Sequence, residues 1–127
     1  MQKKWIIAGA TAAMLGVMIG AFGAHALRPI LEKNGRLETF ETAVRYHFYH
    51  AFGLLIIGIL SNYLQSKWLN WAGNAMLAGM IIFSASLYLL CLTNIAILGA
   101  ITPIGGVGMI AGWLFIALAA RQQKEQP

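Results

Sequence analysis

The sequence predicts an all-α polytopic membrane protein: a four-transmembrane-helix bundle with a short amphipathic interfacial segment between helices 1 and 2. Two observations predict this class. Hydrophobic residues make up 59% of the 127 residues and charged residues only 10%, whereas about a quarter of the residues of a soluble domain are charged. The net charge is +5. The basic residues stand at the ends of long apolar runs, as they do in membrane proteins, and do not form the cluster on one face that binds nucleic acid. By length, residues 1–127 form a single membrane domain.

The first predicted span covers residues 5–24. It holds no charged residue, and its length matches a hydrocarbon core of about 30 Å at about 1.5 Å per residue. Lys3 and Lys4 precede it, as basic residues precede the apolar part of a signal peptide. The run is too long for such a peptide, and we therefore expect a retained transmembrane helix.

The chain turns polar after His25, and residues 28–35 are predicted to form the interfacial segment. Pro29 suits the first turn of a short helix, and Gly35 suits its C-terminal cap. The second span is predicted for residues 36–64. It is longer than the hydrocarbon core, so its first turns should project into the headgroup region.

The last apolar run, residues 68–120, holds no charged residue and is too long for one span. Turn-forming residues in its middle divide it, which predicts a third span at residues 69–92 and a fourth at residues 103–120. Pro103 is expected in the first turn of the fourth span.

Small residues recur at four-residue spacing on the first and last spans. This spacing allows another helix to approach closely. We expect close helix packing, within the monomer or in a homo-oligomer, at Gly16, Gly20, Gly108 and Gly112.

The candidate polar site consists of the three histidines, His25, His47 and His50. At about 100° per residue, His47 and His50 lie about 60° apart on a face of the second span that carries small residues. This face should pack inward and meet His25 at the end of the first span. Ionisable residues inside a span favour a function such as a proton or ion path. Zinc or copper is the alternative, but no carboxylate or cysteine accompanies the histidines, so we expect no metal and no cofactor.

The opposite face of the second span carries Glu38, Glu41 and Arg45, which we interpret as an ion-pair face. Glu41 and Arg45 have the i,i+4 spacing of a helical ion pair. The carboxylates therefore lie away from the histidines. No nucleophile stands beside a base at a motif spacing, and we expect that the protein is not an enzyme.

Three motifs resemble the DUF423 family, which is also called UPF0382 and is similar to the human transmembrane protein 256. They are GAFGAHAL at residues 20–27, the pattern of Phe40, Tyr46, Tyr49 and His50, and ITPIGG at residues 101–106 followed by Gly112 and Trp113. The resemblance covers nearly the whole chain. It implies a small four-helix membrane protein of bacteria and says little about function. His25 and His50 fall within these motifs.

Two functional hypotheses remain open. The first is a small transporter or channel component, or a binder of lipid or small solutes; the second is a structural or regulatory subunit of a larger membrane complex. A transport protein should have a water-accessible cavity that reaches the histidine face, and an interaction protein should have a dry bundle. The expected partners are the lipid bilayer, further copies of the chain and another membrane protein, with no nucleic acid.

The positive residues predict the orientation in a bacterial cytoplasmic membrane. The side of the two termini and the loop before the third span carries five basic residues: Lys3, Lys4, Lys67, Arg121 and Lys124. The other side carries four basic residues. Because basic residues are retained in the cytoplasm, both termini are expected there.

Overall fold

The computed structural model describes residues 2–123, which form five helices joined by short turns. Four of these helices are long and apolar enough to cross a membrane. The helices are α1 (Lys3–His25), α2 (Arg28–Asn34), α3 (Leu37–Leu60), α4 (Lys67–Thr93) and α5 (Leu98–Gln122). The all-α class and the four predicted spans are confirmed. Lys124, counted in the orientation argument, lies outside the described residues.

The predicted interfacial segment is α2, which begins with Pro29 in its first turn. Gly35 ends it in the left-handed conformation, with φ of 65°, a region that glycine enters without steric cost. The side chain of Leu31 is fully buried against Phe40 and Cys91. This contact holds α2 against the first turn of α3 and the last turn of α4.

Two helix boundaries differ from the prediction. α3 ends at Leu60 rather than near residue 64, because a turn follows in which the Ser61 hydroxyl accepts a hydrogen bond from the Gln2 backbone N–H at 2.8 Å. α5 begins at Leu98 rather than at residue 103, so Pro103 lies inside the helix. Asn94, in the left-handed conformation with φ of 56°, caps the end of α4. The turn after it is short, so α5 begins at Leu98. A proline near the helix start costs one helical hydrogen bond.

The long helices pack in the order α1, α3, α4, α5. The largest interfaces join α4 to α5, α1 to α3, and α3 to α4. α3 and α4 therefore form the centre, while α1 and α5 lie on its two sides. This open arrangement leaves a cleft between α1 and α4 and another between α3 and α5, each of which is lined by side chains of the central helices.

Glycines set the distance between α1 and α3. A Cβ atom at Gly9 would lie 2.8 Å from the Ala51 carbonyl oxygen, and one at Gly16 would lie 3.0 Å from the Phe48 ring. At Gly20 the nearest atom would be Val44 Cγ1, at 3.3 Å. The small-residue ridge on α1 thus packs against α3 of the same chain.

The α4 to α5 interface is closer still, because glycines of both helices face each other. A Cβ atom at Gly108 would lie 2.9 Å from Gly79 Cα, and one at Gly112 would lie 2.9 Å from Met76 Cβ. Close backbone approach of this kind is how helices associate in a bilayer, where the hydrophobic effect does not drive them together. The GxxxG face of α5 therefore positions α5 on α4.

Candidate functional site: two histidine clefts

His47 and His50 are both buried on α3, with 7% and 4% of their surfaces exposed. They lie about 15 and 20 Å along a helix that is about 36 Å long. At that depth of a bilayer no water is available to satisfy a polar group, so each imidazole needs partners within the protein.

His47 joins three helices through its two ring nitrogens. Its Nε2 atom lies 2.7 Å from the Ala12 carbonyl oxygen of α1. Since a carbonyl oxygen can only accept, Nε2 carries a proton. Its Nδ1 atom lies 2.8 Å from the Tyr88 hydroxyl of α4, a group that can donate or accept.

His50 joins α3 to α5, and its hydrogen bonds run in the opposite sense. Its Nε2 atom accepts from the indole N–H of Trp113 at 3.0 Å. An indole N–H can only donate, so Nε2 is unprotonated. The Nδ1 atom then donates to the Tyr46 carbonyl oxygen, one turn earlier on α3, at 2.7 Å. Both partners act in a fixed direction, so His50 is the neutral Nδ1–H tautomer.

The groove between α1 and α4, which we call the His47 cleft, has a volume of about 450 Å³. Its walls are aliphatic, and its polar side chains are Thr11, His47 and Tyr88. A smaller groove of about 210 Å³ shares Ile19 and Tyr88 with it. The smaller groove is also apolar and lies toward α2, where Phe22, Leu27 and Leu92 line it.

The groove between α3 and α5, which we call the His50 cleft, has a volume of about 570 Å³. Aromatic rings dominate its lining. The Tyr46 ring lies 5.8 Å from that of Tyr49 and 5.0 Å from that of Phe83, centroid to centroid. The tilted rings of His50 and Trp113 lie 5.8 Å apart. This ring contact forms one wall of the cleft. The hydrogen bonds to the Tyr46 carbonyl and from the Trp113 indole leave His50 without a free nitrogen.

The prediction that His25 joins the other histidines is wrong. His25 is exposed at the end of α1. In the antiparallel pair of α1 and α3, His47 bonds to Ala12, and His25 lies about 20 Å further along α1. Within residues 2–123, no group of three histidine, cysteine or acidic side chains is placed to hold a metal ion.

Glu38, Glu41 and Arg45 are exposed on α3, and Glu41 and Arg45 do not form the expected ion pair. In the described part of the chain, the ion pair is Arg28 with Glu32, at 2.8 Å. Exposed pairs contribute little to stability, so spacing alone does not bring them together. The carboxylates remain on the face of α3 away from His47 and His50.

The sequence did not identify the partners of the two histidines. Tyr88 and Trp113 were visible as polar aromatic residues within uncharged spans, but aromatic residues are common at membrane interfaces. The Ala12 carbonyl gives no sequence signal. Only the packing of α1 on α3 shows that it faces His47.

These features define a small helical membrane protein with four spans. The sequence profile of a family described as "Protein of unknown function (DUF423)" matches residues 19–106. A UPF0382 membrane protein of Staphylococcus haemolyticus is 48% identical over 118 residues, covering 93% of this chain and 95% of the relative. The UPF0382 membrane protein YwdK of Bacillus subtilis is 46% identical over 120 residues, covering 94% and 97% respectively. The chain belongs to this UPF0382 (DUF423) family. No solved structure matches it.

Proposed function

We propose that the protein binds a lipid-like molecule with a long apolar chain in the His47 cleft. The observation that supports this most directly is the pair of neighbouring apolar grooves, one beside His47 and Tyr88 and the other on the α2 side. Ligand pockets are typically about 300 to 1,000 Å³, mostly apolar, with few polar groups. The His47 cleft, at about 450 Å³ with three polar side chains, fits that description.

The bilayer supplies the ligand. The cleft opens between α1 and α4 at a depth where only lipid chains surround the protein. An acyl chain that enters it replaces lipid contact with contact to a shaped wall that includes Leu15, Leu77 and Ile81. Thr11 and Tyr88 offer hydroxyl groups to a polar substituent on the chain.

Binding accounts for the His47 cleft better than conduction. A conducting path needs polar groups along its length, whereas the His47 cleft has aliphatic walls. We also propose that the role is not enzymatic. Glu38 and Glu41 lie on the exposed face of α3 and do not converge with His47 or His50.

We propose a bacterial cytoplasmic membrane location with both termini in the cytoplasm. The antiparallel helices place Lys3, Lys4, Lys67 and Arg121 at one end of the bundle, and the other end also has four basic residues. The orientation therefore rests on Lys124, which follows Arg121 in the sequence and raises the count of the first end to five. Relatives in Staphylococcus and Bacillus are membrane proteins. Apolar side chains exposed on α1 and α5, such as Met18 and Ile110, offer surfaces for a homo-oligomer or a partner membrane protein.

A photoreactive lipid tests the binding proposal. The protein is reconstituted in phosphatidylcholine vesicles that contain a palmitic acid with a diazirine in its chain, and crosslinks are mapped by mass spectrometry. We expect labelling concentrated on Leu77 and Ile81. Ala85→Phe fills the cleft from α4 and should reduce this labelling by about half or more, in keeping with loss of apolar pocket area.

The matched control is Ala117→Phe, which adds the same side chain on an exposed position of α5. It should leave labelling unchanged. Labelling spread evenly over all lipid-facing residues, or equal labelling of the two variants at Leu77 and Ile81, would contradict the proposal.

A further inference from the structure

A third groove lies at the C-terminal end of α1, where α1, α2 and α3 meet. Its volume is about 310 Å³. Gly20 and Gly23 line it from α1, Arg28 from α2, and Phe40, Glu41 and Arg45 from α3. Phe40 also lines the smaller groove near α2. The third groove shares no lining residue with the His47 cleft.

The charged groups of this groove have unused hydrogen-bonding capacity. Arg28 donates from Nε to Glu32 at 2.8 Å, which leaves the other N–H groups of its guanidinium available. Arg45 and Glu41 form no side-chain hydrogen bond or ion pair within residues 2–123. Two guanidinium groups and one carboxylate line the groove, and because Glu32 already pairs with Arg28, Arg45 is the guanidinium left without a partner in the described residues.

The depth of Arg45 makes an unpaired guanidinium costly. Its Cα lies about 12 Å from the start of α3, a helix about 36 Å long that crosses a hydrocarbon core of about 30 Å. Side chains of a helix tilt toward its N-terminus, so Arg45 reaches toward the headgroups of the α2 side. It therefore meets lipid at the boundary between acyl chains and phosphates.

The floor of the groove is the contact between α1 and α3. A Cβ atom at Gly23 would clash with the Phe40 ring, and one at Gly20 would meet Val44 Cγ1 at 3.3 Å, so these glycines bring α1 close to the face of α3 that carries Arg45. Phe40 and Val44 give the inner wall an apolar surface for the glycerol and first methylenes of a lipid. A guanidinium binds phosphate oxygens in bidentate fashion, with geometry that a lysine lacks.

We propose that this groove binds the phosphodiester of an anionic membrane phospholipid such as phosphatidylglycerol. Arg45, which has no partner in the described residues, holds the phosphate oxygens, and Arg28 adds the N–H groups that Glu32 leaves free. Glu41 weakens the binding of more highly charged headgroups by repulsion. This site rests on charge at the headgroup level and is independent of the proposal for the His47 cleft.

The test compares soluble short-chain lipids in detergent. Purified protein is titrated with dihexanoyl phosphatidylglycerol, dihexanoyl phosphatidylcholine or inorganic phosphate, and affinity is measured by native mass spectrometry and by the shift in melting temperature. Phosphatidylglycerol should bind about tenfold more tightly than phosphatidylcholine, the ratio expected for one charge-assisted interaction. Inorganic phosphate, which has no glycerol or acyl group for the apolar wall, should produce no comparable shift.

Variants assign the site. Arg45→Gln should weaken phosphatidylglycerol binding about tenfold, and Arg28→Gln should weaken it less because Glu32 already engages Arg28. Glu41→Gln should strengthen it. Lys33→Gln is the matched control, since Lys33 is an exposed basic residue of α2 outside the groove lining. Equal binding of the two lipids, an equal shift with phosphate, or equal effects of Arg45→Gln and Lys33→Gln would overturn the proposal.

Discussion

His47 and His50 lie one turn apart on the same buried face of α3, yet they open onto different clefts and use their nitrogens in opposite ways. His47 donates from Nε2 to a backbone carbonyl of α1. His50 donates from Nδ1 to its own helix and accepts at Nε2 from α5. A shared helical face thus determines burial, whereas the neighbouring helices determine the hydrogen-bonding state.

The two histidines also differ in how far their partners can adapt. Trp113 can only donate, so a protonated His50 would lose the bond to α5. The Tyr88 hydroxyl can reverse its role, so His47 can gain a proton on Nδ1 and keep both hydrogen bonds. His50 is therefore a fixed structural link, and His47 is the adaptable group beside the proposed ligand cleft.

The largest expected effect is a loss of protein stability that differs between alanine variants of the two histidines. His47→Ala should lower the free energy of unfolding by about 3 kcal/mol, because it leaves a cavity and removes the partner of Tyr88 among three packed helices. His50→Ala should cost about half as much, since the indole that it releases, Trp113, is 42% exposed at the cleft. Unfolding in mixed detergent micelles measures both values. His25→Ala is the exposed control and should change little; a larger loss for His50→Ala than for His47→Ala would reverse the comparison.

The next prediction concerns a substitution that should affect the His50 cleft only. Gly79→Ala should destabilise the protein by about 2 kcal/mol, because its Cβ would lie 2.5 Å from the Met109 backbone N and 2.7 Å from the Gly105 carbonyl oxygen. Backbone atoms of α5 cannot yield separately, so α5 should shift and the bond from Trp113 to His50 should lengthen.

Gly106→Ala is the matched control for this change. Its Cβ would meet only the Phe83 ring, at 3.9 Å, and alanine favours the helix over glycine. The imidazole nitrogen resonance of His50 should move in Gly79→Ala while that of His47 stays in place. Equal stability of the two variants would show that the α4 to α5 contact is looser than the structure has it.

The smallest expected effect comes from removing single donors. Trp113→Phe deletes the indole N–H that bonds His50, and Tyr88→Phe deletes the hydroxyl that bonds His47. Each should cost about 0.6 to 1 kcal/mol, the usual range for a hydrogen bond between membrane helices. In imidazole NMR, the Nε2 resonance of His50 should shift in Trp113→Phe, because this nitrogen loses its hydrogen-bond donor. An unchanged resonance would mean that Trp113 does not donate to His50.

The sequence predicted the fold more fully than the site. Long apolar runs, with turn-forming residues that divide the last of them, determine the four spans, and Pro29 and Gly35 determine where α2 begins and ends. The start of α5 was missed because Pro103 looked like a first-turn residue, although a proline further inside a helix start is tolerated at the cost of one hydrogen bond.

The site could be predicted only in part, because a helical wheel describes one helix at a time. It placed His47 and His50 on a buried face, which the structure shows. It could not give the offset between α1 and α3, which places Ala12 beside His47 and leaves His25 at the surface. The Glu41 and Arg45 spacing likewise indicated a pair that the side chains do not form.

The most direct test of the central claim is the tautomeric state of the two imidazoles, measured by nitrogen-15 NMR of histidine-labelled protein in bilayers at about pH 8, above the usual imidazole titration range. His47→Ala and His50→Ala assign the signals. We predict opposite neutral tautomers, with the proton on Nε2 in His47 and on Nδ1 in His50. The same tautomer in both residues, or a proton on Nε2 of His50, would contradict the account.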